Sequence, residues 1–210
     1  VLTGSANATI ASNQTTTLSL SLGNSQSGSG NVSINVHLPI LSIAAGEDHS
    51  MLVKQDGQLW MTGTNDNGQF GVTSPALTSQ WTAITSNAIQ VAGGVESSFM
   101  IQSDNTLWGT GQNTYGLMGL GHTTDLTEWT TLLSNVEDVR TSGWSVFVIL
   151  NDGTVKAAGY NTSGMFGNGT NNDSTSFVTI GMEDVEDISV GNHSTLVLKH
   201  DGTLWVAGYG

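Results

Sequence analysis

Cysteine is missing from this 210-residue chain, and Lys and Arg together number only four. Without cysteine there is no disulfide framework, thiolate nucleophile or sulfur metal site, while the cellular compartment stays open. Against seventeen Asp and Glu, the scarce cations leave a net charge of -13. Such a chain repels phosphate backbones and anionic lipid, because neutralising phosphates requires clustered Lys and Arg. Nucleic acid is therefore excluded as a partner at this stage. Charged residues make up 10% of the chain, against roughly 25% in ordinary globular domains, which disfavours helices with charged outer faces. No apolar run approaches the ~18 residues of a membrane-spanning helix, so no membrane insertion is expected. Residue 1 is Val, with no basic stretch leading an apolar core, so no signal peptide is visible and the start reads as processed or truncated.

What is present is glycine, 27 residues of it, together with Ser, Thr, Asn and Gln. This composition suits short strands joined by tight turns, and the fold class is all-β. Turn dipeptides fall at Asp56-Gly57, Asp104-Asn105, Asp152-Gly153 and Asp201-Gly202, in steps of 48, 48 and 49 residues. Four residues after each Asp stands Trp60, Trp108, Lys156 or Trp205. A pattern G-x-N-x-x-G-x-x-G follows, carried by Gly63, Asn65, Gly68 and Gly71, by Gly111, Asn113, Gly116 and Gly119, and by Gly159, Asn161, Gly164 and Gly167. A fourth copy opens at Gly208. Ile43, Val91, Val139 and Ile188 keep the same period upstream of the turns. Each unit reads as an apolar strand, an Asp-Gly turn and a Trp-bearing strand, a hairpin that cannot bury both faces unless neighbours stack.

The segment HSMLVKQDGQLWMTGTNDNGQFG, with its recurring turn, Trp and spaced glycines, resembles the regulator-of-chromosome-condensation repeat. The resemblance covers roughly residues 39 to 210 and implies a β-propeller, usually seven-bladed, with four-stranded antiparallel blades and blade boundaries offset from the repeats. The units are placed at about 39–86, 87–134, 135–183 and an incomplete 184–210, about three and a half repeats. Asn105 replaces a turn Gly, Lys156 replaces a Trp, and Ser97 and Ser145 stand where the family's usual His is represented by His49. An extra residue near His193 leaves the local alignment of the last unit open. Residues 1–38 lack the signature: alternation around Leu18–Leu22 and Val32–Leu38 reads as an amino-terminal β-hairpin, a linker or a degenerate repeat. Seven such units need about 340 residues. The chain is thus expected not to close a ring alone, and either to continue past residue 210 or to be completed by a second copy at open, strand-recruiting edges.

No nucleophile elbow, zinc-protease motif or phosphate loop occurs, and the glycine strings follow a Trp strand instead of opening a helix. A non-catalytic protein without cofactor or metal is expected. Glu47, Asp48 and Glu96 recur at one loop level but do not make a six-to-eight-oxygen cation cage. Asp66-Asn67-Gly68 and Asn171-Asn172-Asp173 have a calcium-like composition without a complete loop pattern. Seven N-x-[ST] triplets, Asn161 among them, read as coincidence in so Asn- and Ser-rich a chain. Trp144 stands where other units have Asp48 and Glu96, and Tyr115 stands where they have Asn67 and Ser163; both are candidate contact residues. His49 and His193, beside the repeated glycine, read as packing and hydrogen-bonding residues.

The functional expectation is a protein-interaction or surface-display propeller, extracellular or on a virion surface, whose loops meet a protein or cell-surface ligand. A structural protein of a virion or appendage is the alternative. Guanine-nucleotide exchange, which the family resemblance also brings to mind, fits poorly with an acidic chain that has no basic tail for chromatin.

Overall fold

The computed structural model describes residues 39–73 and 77–209, and the amino-terminal hairpin expected within residues 1–38 lies outside them. Fifteen strands and no helix make up the described residues. The first sheet runs β1 (Ile40–Ala45), β2 (His49–Lys54), β3 (Leu59–Thr64) and β4 (Leu77–Thr85). The second contains β5 (Ala88–Gly93), β6 (Ser97–Gln102), β7 (Leu107–Gly111) and β8 (Leu126–Leu133). The third contains β9 (Val136–Ser142), β10 (Ser145–Leu150), β11 (Val155–Gly159) and β12 (Ser174–Thr179). The fourth has β13 (Val185–Val190), β14 (Ser194–Lys199) and β15 (Leu204–Gly208). Every pairing is antiparallel between sequence neighbours. The first strands β1, β5, β9 and β13 contact one another in succession, so the four sheets are blades of a propeller arc with these strands innermost. In a frame that starts each unit at its innermost strand, each sheet is drawn from consecutive strands of one unit, without the offset that the resemblance implied.

The Asp-Gly segments close the second-to-third strand hairpins with three-residue loops. In the first blade Gly57 N-H donates to Lys54 O at 2.8 Å and Lys54 N-H to Gln58 O at 3.0 Å, and the other three turns repeat both bonds. Gly57, Asn105, Gly153 and Gly202 all have φ between 63° and 81°, so Asn105 takes the left-handed conformation that Asn tolerates best after Gly. Each turn Asp accepts a bond from the backbone two residues on, as Asp104 does from Thr106 N-H at 3.1 Å. The Thr106 and Thr203 hydroxyls, and after them these backbone bonds, hold the carboxyls of Asp104 and Asp201 below the usual range, while at Asp152 the Thr154 backbone bond leads.

The core lies between blades. Met51, Met61 and Phe70 of the first blade meet Val91 and Met100 of the second, Phe99 and Met118 of the second meet Val139 and Val146 of the third, and Phe147 and Phe166 of the third meet Ile188 and Val197 of the fourth. An interior blade is covered on both sides, so β6 and β10 are buried at five successive positions. Among the described residues the first blade is covered on one side, and β2 alternates buried and half-buried. The same logic governs Ile43, 74% exposed, whose counterparts Val91, Val139 and Ile188 are 5%, 1% and 2% exposed. At the other end of the arc Leu204 and Val206 of β15 are exposed, whereas Leu59 and Met61 of β3 are fully buried.

The longer last repeat is explained by the connection between blades. Two residues join β4 to β5 and β8 to β9, but residues 180–184 join β12 to β13. Downstream of that insertion the register is regular: Ser194 pairs with Gly208 as His49 pairs with Gly63, Ser97 with Gly111 and Ser145 with Gly159. His193 is therefore the counterpart of Asp48, Glu96 and Trp144, and Ser194 is the counterpart of His49.

Candidate functional site

One end of the arc carries the first-to-second and third-to-fourth strand loops, and the opposite end carries the Asp-Gly turns. At the loop end the first glycine of each pattern, Gly63, Gly111, Gly159 or Gly208, has φ between 98° and 106°. A Cβ there would lie between 2.1 and 2.4 Å from the carbonyl oxygen of Asp48, Glu96, Trp144 or His193 respectively. Only glycine permits this approach. It brings the residue after the glycine into a backbone bond with that loop: Thr64 N-H to Asp48 O, Gln112 N-H to Glu96 O, Tyr160 N-H to Trp144 O and Tyr209 N-H to His193 O, at 2.8 to 3.0 Å.

The result is four equivalent residue pairs, one per blade, on a fixed backbone. In the second blade Gln112 Nε2 donates to Glu96 Oε2 at 2.6 Å. In the third, the Trp144 and Tyr160 ring centroids lie 6.3 Å apart, and in the fourth His193 and Tyr209 lie 6.4 Å apart. Tyr115, from the glycine loop of the second blade, joins both residues of the third at 5.6 Å to Trp144 and 5.4 Å to Tyr160. Tyr160 continues to His193 at 6.0 Å, completing a row of rings across three blades. Trp144 stays 39% exposed, and His193 and Tyr209 are exposed. The loops are stitched to one another along this end, with Glu47 N-H donating to Val95 O and Val95 N-H to Gly143 O, both at 3.1 Å.

Trp144, Asp48, Glu47 and Glu96 thus share one end of the arc, and Trp144 and Tyr115 are in ring contact. Tyr160 and Tyr209 escaped sequence reasoning. Their signal was present, since each follows the first glycine of its pattern where Thr64 and Gln112 stand in the other units. Reading it required knowing that this position pairs with the Trp144 position. Two histidines differ in role. His49 is buried, with Nε2 2.8 Å from Ser98 Oγ of the next blade, and burial pushes its pKa down to about 4 against the opposing influences of the Ser97 backbone and Asp48. His193 contacts Ser163 Oγ through Nδ1 at 3.0 Å while presenting its ring to Tyr160 and Tyr209.

The pattern Asn residues staple the glycine loops. Asn161 Oδ1 accepts from Phe166 N-H at 2.9 Å, its Nδ2 donates to the Thr170 and Asn172 carbonyls, and Asp173 accepts from Asn161 N-H at 2.6 Å. Asn113 makes the equivalent bonds. Asn161 is fully buried, which closes its N-x-[ST] triplet to glycosylation. Among the described residues no group of three or more His, Asp or Glu is placed to hold a metal ion. A wide acidic depression of about 640 Å³ at the Asp-Gly end, between the third and fourth blades, is lined by residues including Glu137, Asp138, Asp152 and Glu183. Arg140 crosses there to Asp138 and to Asp187, the latter at 3.1 Å.

Among the described residues the three four-stranded sheets and one three-stranded sheet define a β-propeller arc. Residues 40–69 match the family model of the Regulator of chromosome condensation (RCC1) repeat. In fold the chain is similar to human WBSCR16, at 22% identity and TM-score 0.73 over 81% of this chain and 47% of that one. It is similar also to Prp20p from Saccharomyces cerevisiae, at 17% identity and TM-score 0.71 over 85% and 47%, and to yeast RCC1 (Prp20) bound to Kap60, at 17% and 0.70 over 85% and 46%. The chain spans about half the length of these proteins. No curated protein matches it in sequence. The chain has the fold of an RCC1-like β-propeller, shared over about half the length of those proteins.

Proposed function

We propose that the chain is a non-catalytic protein-interaction propeller and that the loop-end row is its binding face. The observation that carries this reading is the contrast within each repeat. Glycines and hydrogen bonds hold the backbone of the row constant, while its side chains change from Asp48 and Thr64, through Glu96 and Gln112, to Trp144 and Tyr160. Exposed aromatics on a rigid backbone are the residues that interfaces enrich, because they bury large area at low entropic cost. The similar solved structures support the class of partner: yeast RCC1 is seen bound to Kap60, and Prp20p has binding properties toward Gsp1p and histones. Nucleotide exchange on a chromatin-bound GTPase is disfavoured, because the acidic balance opposes attachment to chromatin. Extracellular or virion-surface display fits the missing cysteine and the Ser-, Thr- and Asn-rich composition, and the net charge of -13 weighs against nucleic acid. Among the described residues no helix is long and apolar enough to cross a membrane.

The test is a photo-crosslinking amino acid placed at position 144 and, separately, at position 58 in an Asp-Gly turn. A discrete protein adduct from 144 and none from 58 is expected in the native setting. Adducts from 58 alone, or equal smears from both, would overturn the assignment of the face. A structural, assembly-forming role is favoured by a different observation, the exposure of Ile43 and Val206 at positions that are core elsewhere in the arc. Sedimentation of the chain with and without Ile43→Asp measures it, with concentration-dependent assembly abolished by the substitution as the result this reading requires.

A further inference from the structure

The row has a chemical polarity that its repeats make plain, because its two halves differ in kind. Asp48 and Glu96, with Glu47 beside them, occupy the first and second blades, and the rings of Tyr115, Trp144 and Tyr160 lie at the second and third. From this we infer that the binding face takes a cationic peptide segment, with an Arg or Lys side chain against the Trp144–Tyr115–Tyr160 cluster and neighbouring positive charges facing Asp48 and Glu96. The inference rests on the reading of this row as the binding face and adds the chemistry of the occupant.

The first support is the fate of the chain's own cations. All four lie away from the row and are engaged. Lys54 Nζ sits 3.8 Å from the Trp60 ring centroid and Lys199 Nζ 5.3 Å from that of Trp205. Lys156 Nζ donates to Thr179 Oγ1 at 3.3 Å, and Arg140 bridges Asp138 and Asp187. Lys54, Lys156 and Lys199 are strand residues next to the Asp-Gly turns, at the far end of the blades. No Lys or Arg of the chain therefore competes for the acidic half of the row or for its rings. The second support is that this fold already stacks ammonium groups on indoles twice, both at the strand position four residues after the turn Asp. Trp144 offers a further indole, at a loop, and the cations stacked on rings among the described residues, Lys54 and Lys199, lie on Trp60 and Trp205 instead.

The third support is preorganisation. Gln112 holds the Glu96 carboxylate at 2.6 Å, and the Trp144 ring packs against both Tyr115 and Tyr160, at 5.6 and 6.3 Å between centroids. A cation arriving over the indole meets a surface already ordered, so little entropy is lost on binding. An aromatic face flanked by carboxylates attracts cations through ring quadrupole and charge alike. An anionic segment is repelled by the same groups, and a neutral sugar would use the rings while gaining nothing from Asp48 or Glu96.

Isothermal titration of the full chain tests this, using a capped peptide of alternating Arg and Gly, its Glu-Gly counterpart and a neutral oligosaccharide. The Arg peptide is expected to bind, weakening between about 20 mM and about 200 mM NaCl as screening shortens the reach of the carboxylates. Trp144→Ala is expected to weaken binding by about tenfold, Trp144→Phe to restore most of it, and Glu96→Gln to cost about threefold. Near-ultraviolet circular dichroism and thermal unfolding check that each variant is folded. An Arg affinity unchanged by Trp144→Ala overturns the inference, as does preference for the oligosaccharide or the Glu peptide. A specific crosslink from position 144 without Arg-peptide binding sinks the cationic occupant and leaves the binding face standing. Loss of both removes the face as well.

Discussion

The two ends of the propeller arc use the same repeat in opposite ways. At the Asp-Gly end every blade builds the same three-residue loop from the same bonds, and the conserved chemistry is spent on the turn itself. At the loop end the repeat invests in a glycine pressed against a carbonyl, and the neighbouring side chains vary freely. Constancy at one end makes an array of hairpins, and constancy of backbone alone at the other makes a display surface. A repeat protein can change its ligand without changing its fold only where side chains are not needed to hold the strands.

The largest test of that contrast is Gly159→Ala. The new methyl would stand 2.3 Å from Trp144 O at a φ of 102°, so backbone must move, and a loss above about 3 kcal/mol is expected in urea unfolding. At the other end Gly153 has a φ of 79° and nothing within 4 Å. Gly153→Ala should cost only the left-handed strain, about 1 kcal/mol. Equal costs at the two sites would break the comparison.

His49 gives the next effect. Its ordinary value is 6.5 and its folded value about 4, so as pH falls from 6.5 the unfolded chain binds a proton that the fold refuses. Stability is full above 6.5, declines through the window down to about 4 and is level below, a total of about 3 kcal/mol for this group. Unfolding at pH 7 and pH 4.5 measures it, and His49→Ser, which installs the residue of the second and third blades, should flatten that part of the profile. The smallest effect is expected from Trp144→Glu, which gives the third blade the loop residue of the second. A loss below about 1 kcal/mol, from ring contacts alone, would sharpen the picture of an interchangeable row. A loss above about 3 kcal/mol would make Trp144 a core residue.

Burial teaches a related lesson at the ends of the arc. Ile43 and Val91 are equivalent in sequence and both apolar, and nothing local distinguishes them. Val91 has the first blade at its back and Ile43 has no described neighbour there, which decides 5% against 74% exposure. Trp81 and Trp129 differ in the same way. Trp129 lies over Gly71 of the preceding blade and donates to Phe70 O at 2.9 Å, whereas Trp81 remains exposed.

The period of 48 residues, the Asp-Gly turns and the alternating apolar strands determined the all-β propeller, because each is a local preference repeated until only stacked hairpins satisfy it. The equivalence of Asp48, Glu96 and Trp144 followed from the same period. What tertiary structure alone decided is which side chains from different units meet. Tyr115 reaches Trp144 and Tyr160 across a blade boundary, the extra residue falls in the connection 180–184 and so makes His193 the counterpart of Trp144, and Tyr209 closes the row. Sequence spacing fixes a residue's place along its own blade. The distance between blades depends on how the core side chains at each interface pack, and that packing is a property of all the strands together.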